Sequence, residues 1–185
     1  TWGNAEGTLL VGLARGFGFG LVVLALAAPL GAQDFPPITD LERALTRVEG
    51  APNAPAVVLS RHADFYMMDL ARNEISSRLV VRERVKILTE EGKSHGEREI
   101  HHNSYVRLYN LRARTVLPDG RVVPLPSGDR FERRLSRNER YYVTAYAMPA
   151  VEVGAILDSE YELRFDSFYF LEPWLLSDVI PVRLA

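Results

Sequence analysis

The stretch VKILTEEGKSHGEREIHH, residues 85–102, gathers acids, bases and three of the chain's four histidines. Such a mixture could hold a metal ion or move protons. Zinc needs three or four ligands converging on one point. Neighbouring strand residues point to opposite faces, so a regular strand cannot offer both His101 and His102 to one ion, and His95 could join only one of them. The expectation is therefore no metal site but a hairpin with a charged, solvated tip, in which Gly92 and Gly96 bracket the polar residues of the loop.

Two carboxylate groups come next, Glu90/Glu91 and Asp158/Glu160/Glu162. Glycosidase chemistry needs two carboxyl groups facing each other in unlike environments. The second set instead occupies alternate positions of one strand, which predicts a solvated outer face. Ser60, Ser76, Ser77 and Ser104 lack the G-x-S-x-G elbow that would expose a nucleophile. The chain has no cysteine, which removes disulfides, thiolate zinc ligands and a thiol nucleophile. No catalytic residue, metal ligand or cofactor site is expected in these residues.

Aromatic side chains crowd the segment YELRFDSFYFLEPW. Rings there can pack a core or present a surface to a protein or glycan. Phe168, Tyr169 and Phe170 are consecutive and cannot all face inward. With Trp174 they form the candidate interaction surface.

The elements that would position these groups follow from periodicity. Thr39 and Glu42 form a capping box, and Leu41, Ala44, Leu45 and Val48 share one face of a short helix. Gly50 and Pro52 stop it, and the chain to Pro55 reads as a linker. From Ala56 onward the period is two. In 76–88, Leu79, Val81, Val85 and Ile87 oppose Arg78, Arg82, Arg84 and Lys86. In 107–117, Tyr109, Leu111, Ala113 and Leu117 oppose Arg112 and Arg114. In 157–165, Leu157, Tyr161, Leu163 and Phe165 oppose Asp158, Glu160, Glu162 and Arg164. Turns are expected at ARNE, EEGKSHGE, PDGR, PSGD, SRNE and EVGA. PDG between two apolar runs marks a hairpin, with Pro118 presetting φ and Asp119 and Gly120 tolerating the turn. The fold class is all-β: an antiparallel β-sandwich or strongly curved sheet of roughly eight to ten strands.

The chain has 185 residues, 47% hydrophobic and 25% charged, which suits one globular domain with accessories. A net charge of −2 provides no bulk field toward nucleic acid or anionic lipid. Arg15 followed by GFGFGLVVLALAAPLGA resembles a secretory signal, too short for the roughly 20 residues of a membrane span. Cleavage is expected near Ala32; the alternative is an uncleaved anchor, which would be the chain's only membrane contact. The organisation is thus 1–32 signal or anchor, 33–55 short helix and linker, and 56–185 a β-domain truncated at its C-terminal end. The chain starts at Thr1 without Met and stops in the apolar run VIPVRLA, and we read it as a piece of a longer, exported protein, periplasmic, envelope-associated or secreted.

The segments APAVVLSRHADFYM, RVKILTEEGKSHGEREI, YNLRARTVLPDGRVVPL, AYAMPAVEVGAILDSEYEL and WLLSDVIPVRLA, in this order, resemble a bacterial domain of unknown function. That domain usually lies N-terminal to a transglutaminase-like domain in exported proteins. The resemblance covers roughly 54–185, and its most specific parts are RVKILTEEG, LRARTVLPDGRVVPL and MPAVEVGAILDSEYEL together. The turn ARNE departs from the family's more glycine-rich turn. The resemblance implies a noncatalytic all-β accessory domain whose partner is a downstream Cys-His-Asp domain of the same chain. The alternative from a different class is an independent carbohydrate- or peptide-binding module using the aromatic patch.

Overall fold

The computed structural model describes residues 35–70, 74–135, 140–166 and 179–184. The proposed signal segment, the turns ARNE and SRNE in large part, and the patch Phe168, Tyr169, Phe170 and Trp174 lie outside the described residues.

Thr39 and Glu42 start a helix as expected: Glu42 N donates to Thr39 Oγ1 at 3.2 Å, and Thr39 N donates to Glu42 Oε2 at 2.6 Å. This helix, α1 (Asp40–Ala44), is shorter than its apolar spacing suggests and ends at Leu45, which is already extended. Glu42 is also bound by Arg84 of the sheet, which turns that side of α1 inward and leaves Leu41 81% exposed. Leu45 and Val48 still reach the sheet, from chain beyond the helix. With Ile38 and Leu88 they cover Val57, Leu59 and Ile156. Residues 35–48 therefore cover one sheet face.

Eight strands follow: β1 (Ala56–Leu70), β2 (Glu74–Ile87), β3 (Glu97–Asn103), β4 (Val106–Val116), β5 (Val122–Pro124), β6 (Arg130–Arg134), β7 (Tyr141–Ala147) and β8 (Ile156–Phe165). They form one open, antiparallel sheet in the order β1-β2-β8-β4-β3-β7-β6, with β5 on β4. Of the two expected architectures, the single sheet is the one observed. β3 joins β4 through one residue pair, Asn103↔Val106. The far end of β4 pairs β5 instead, across the PDG turn, where Gly120 takes φ +89°. The weak β3–β4 seam lets β3-β7-β6 turn onto the rest. Ile100 and Tyr146 accordingly join Val58, Val85, Leu157 and Leu163 in one buried cluster. Across the same space Arg98 of β3 pairs with Glu83 of β2, which also accepts from Arg61 Nε at 2.6 Å. Chain 179–184 lies along the outer edge of β1, through a parallel bridge between Val58 and Val182.

Two sequence expectations change here. Residues 85–102 are not a hairpin: β2 pairs β1 and β8, whereas β3 pairs β7 and the start of β4. The link between them is a 3-10 helix, Glu91–Gly96, in which Gly92 and Gly96 are buried. A Cβ on Gly92 would run into the Pro55 carbonyl, so this glycine serves close approach and not loop freedom. Alternation in 107–117 also fails midway. A bulge between Tyr109 and Arg112, with Asn110 at φ 52°, inserts an extra residue and moves Tyr109 to the charged face, opposite Glu162.

Candidate functional site: a carboxylate ladder clamped by arginines

β8 lies between β2 and β4, and register brings complementary charges into rows. Asp158 stands opposite Arg84 on one side and Arg114 on the other; Glu160 stands between Arg82 and Arg112. The acids alternate on β8 and the arginines on both neighbours, so one face of the sheet becomes a ladder of ion pairs.

At the first rung, Arg84 Nε donates to Asp158 Oδ1 at 2.6 Å and Arg114 Nε donates to Oδ2 at 2.9 Å. Arg84 uses all five of its N–H groups. The others reach Asp158 Oδ2, Glu42 Oε1 and the carbonyls of Pro36 and Pro37. Asp158 retains only 2% of its exposure. The Phe35 ring covers the rung from above, 4.8 Å from the Arg114 guanidinium and 5.3 Å from that of Arg112. Burial disfavours the Arg84 cation, but Asp158 and Glu42 outweigh this and raise its pKa. Burial likewise pushes the Glu42 carboxyl up, while the Thr39 N–H and the Arg84 guanidinium together hold it below its usual range.

The second rung is more open. Arg82 Nε donates to Glu160 Oε2 at 2.5 Å and Arg112 Nε to Oε1 at 2.8 Å. Arg82 also pairs with Asp64 at 2.7 Å, where the two side chains are 39% and 45% exposed. At the third, Glu162 accepts from Arg164 Nε at 2.6 Å and Asn110 Nδ2 at 2.9 Å, with Arg164 lying 4.3 Å from the Tyr109 ring. Burial raises the Glu162 pKa, and these two donors bring it net below its ordinary value.

The expectation of a solvated acidic face is thus corrected: Asp158, Glu160 and Glu162 are buried. Each carboxylate accepts from two side chains: Asp158 from Arg84 and Arg114, Glu160 from Arg82 and Arg112, Glu162 from Arg164 and Asn110. The overlooked partners, Arg82, Arg84, Arg112 and Arg114, carried a signal in their own two-residue spacing. It becomes meaningful only once β8 is placed between their strands.

The histidines separate. His101 is exposed and His102 is 8% exposed, on opposite faces of β3. His102 Nε2 lies 3.0 Å from Thr144 Oγ1 and 3.4 Å from Glu132, and its ring stacks on Tyr142. Burial pushes this imidazole pKa down, against the opposing charge of Glu132. Glu90 pairs with Lys93 in solvent, and Glu91 accepts from Thr89. Ser77 is buried in β2 with no hydrogen-bond partner for its hydroxyl among the described residues. Also among them, no three His, Asp or Glu side chains converge as a metal site.

A single open antiparallel sheet with buried ion pairs on one face defines an all-β domain. The chain belongs to the family DUF3857, described as a domain of unknown function with a solved structure, whose model matches residues 75–182. No curated protein matches the chain. Among solved structures it is similar to a chain named a "putative protease" from Parabacteroides distasonis. The two share a TM-score of 0.52 at 16% identity, over 63% of this chain and 24% of that one. Identity this low establishes likeness of fold, and the chain spans about a quarter of that relative's length.

Proposed function

We propose that this chain is the noncatalytic N-terminal accessory domain of an exported protein, packing against or presenting substrate to a transglutaminase-like domain of the same chain. The observation that carries the reading is the match to about a quarter of a much larger chain named a "putative protease". The larger part of such a protein would hold the chemistry. The clamped carboxylates agree with this division, because a domain whose acids are held by arginines serves shape and not proton transfer. Its place is the periplasm, the envelope or the exterior, reached through the apolar segment after Arg15.

The decisive experiment reads the gene beyond the codon for Ala185 and assays the encoded protein. A frame continuing into a domain with Cys, His and Asp is expected, with activity abolished by replacing that Cys. An immediate stop codon, or hydrolase activity in residues 33–185 alone, would overturn the proposal.

A further inference from the structure

Arg84 and Lys86 are two residues apart on the same face of β2, and both are buried. Arg84 has two carboxylate partners. Lys86, at 4% exposure, has none among the described residues: its one hydrogen bond to them runs from Nζ to the backbone carbonyl of Arg43 at 2.9 Å. An ammonium carries three donors, so two have no partner among the described residues. A buried charge without a counterion is costly, and proteins pair such groups or neutralise them.

The side chain borders a cavity of about 140 Å³ beneath the N-terminal cover. Arg43 brings a second positive charge to its wall, and no Asp or Glu among the described residues lines it. The other walls include Leu45, Val116, Val153 and Ile156. Burial and the Arg43 charge lower the Lys86 pKa, as expected of two cations lacking an anion. Arg43 and Thr46 are exposed and form the mouth. At about 30 Å³ per water in the liquid, the volume corresponds to four or five waters. That suits a molecule of a few heavy atoms.

We propose that this cavity binds a small monocarboxylate with a short apolar tail, its carboxylate held between Lys86 Nζ and the Arg43 guanidinium and its tail against Leu45, Val116 and Ile156. The carboxylate supplies the missing counterion to Lys86. The apolar walls select for a tail that inorganic anions lack.

The test is a titration of the folded chain with sodium butyrate, followed by the amide resonances of Ile87 and Gly154, with sodium chloride and sodium phosphate at equal ionic strength. Saturable shifts with butyrate are expected, absent with chloride and weaker with phosphate. Lys86→Met should abolish them. Arg43→Gln changes an exposed side chain and so preserves the fold should Lys86→Met fail to; it should weaken binding about tenfold, the scale of one charge-assisted contact. No saturable butyrate shift, or an unchanged affinity in either folded variant, would overturn the site. Phosphate binding equal to that of butyrate would overturn the apolar-tail assignment.

Discussion

Two neighbouring rungs of the ladder share a chemistry and differ in cover. At Asp158 the rung lies beneath Phe35, Pro36, Pro37 and α1, and Arg84 has protein acceptors for every N–H. At Asp64 and Arg82 the same kind of pair meets solvent. An ion pair removed from water interacts in a low dielectric, and neither charge can be left alone there. A solvated pair gains little, because water and salt serve each partner nearly as well. The covered rung thus binds the N-terminal segment to the sheet, whereas the open rung chiefly decorates it.

The difference can be tested in steps of decreasing effect. Asp158→Asn leaves Arg84 and Arg114 with a neutral partner beneath the cover, and it should cost about 3–5 kcal/mol in urea denaturation. A loss below about 1 kcal/mol would show that water reaches this rung. Glu42→Gln removes the charge linking α1 to Arg84 and should cost about 1–2 kcal/mol. Because folding depresses the Glu42 pKa, its contribution is complete above the ordinary value of 4.5 and is lost as pH falls through the folded-state value. Stability measured between pH 6 and pH 3 should accordingly fall less steeply in Glu42→Gln than in the unmodified chain; parallel curves would refute the link.

Phe35→Ala removes a ring from two guanidinium groups and should cost about 1 kcal/mol. It should also leave the neighbouring Ile38 and Thr39 amides more open to hydrogen exchange, and unchanged exchange would place the hold on Glu42 alone. Asp64→Asn should cost at most about 1 kcal/mol, and less still in 1 M salt. If Asp64→Asn matched Asp158→Asn, cover would not be the distinguishing factor.

His102 offers the same contrast on a different strand pair. Folding lowers its pKa, so its contribution is complete above the unfolded value near 6.5 and is lost as pH falls below it. His102→Gln should flatten the stability profile between pH 7 and pH 5, and an unchanged profile would refute this contribution.

The all-β class, the strands at 76–88, 107–117 and 157–165, the PDG turn and the capping box at Thr39 were legible from period and turn chemistry. These depend on neighbours within a few residues, where side-chain direction and φ preferences act directly. The alternation also separated Asp158, Glu160 and Glu162 from the apolar face correctly. It could not reveal that this face is buried, because burial depends on Phe35 and α1, more than a hundred positions away. The pairing of β8 between two arginine-bearing strands, the bulge at Asn110, the tight seat of Gly92 on Pro55 and the isolated charge of Lys86 were likewise decided by the tertiary structure. Each is set by which distant chain segment arrives opposite, and period and turn signals carry no information about partners.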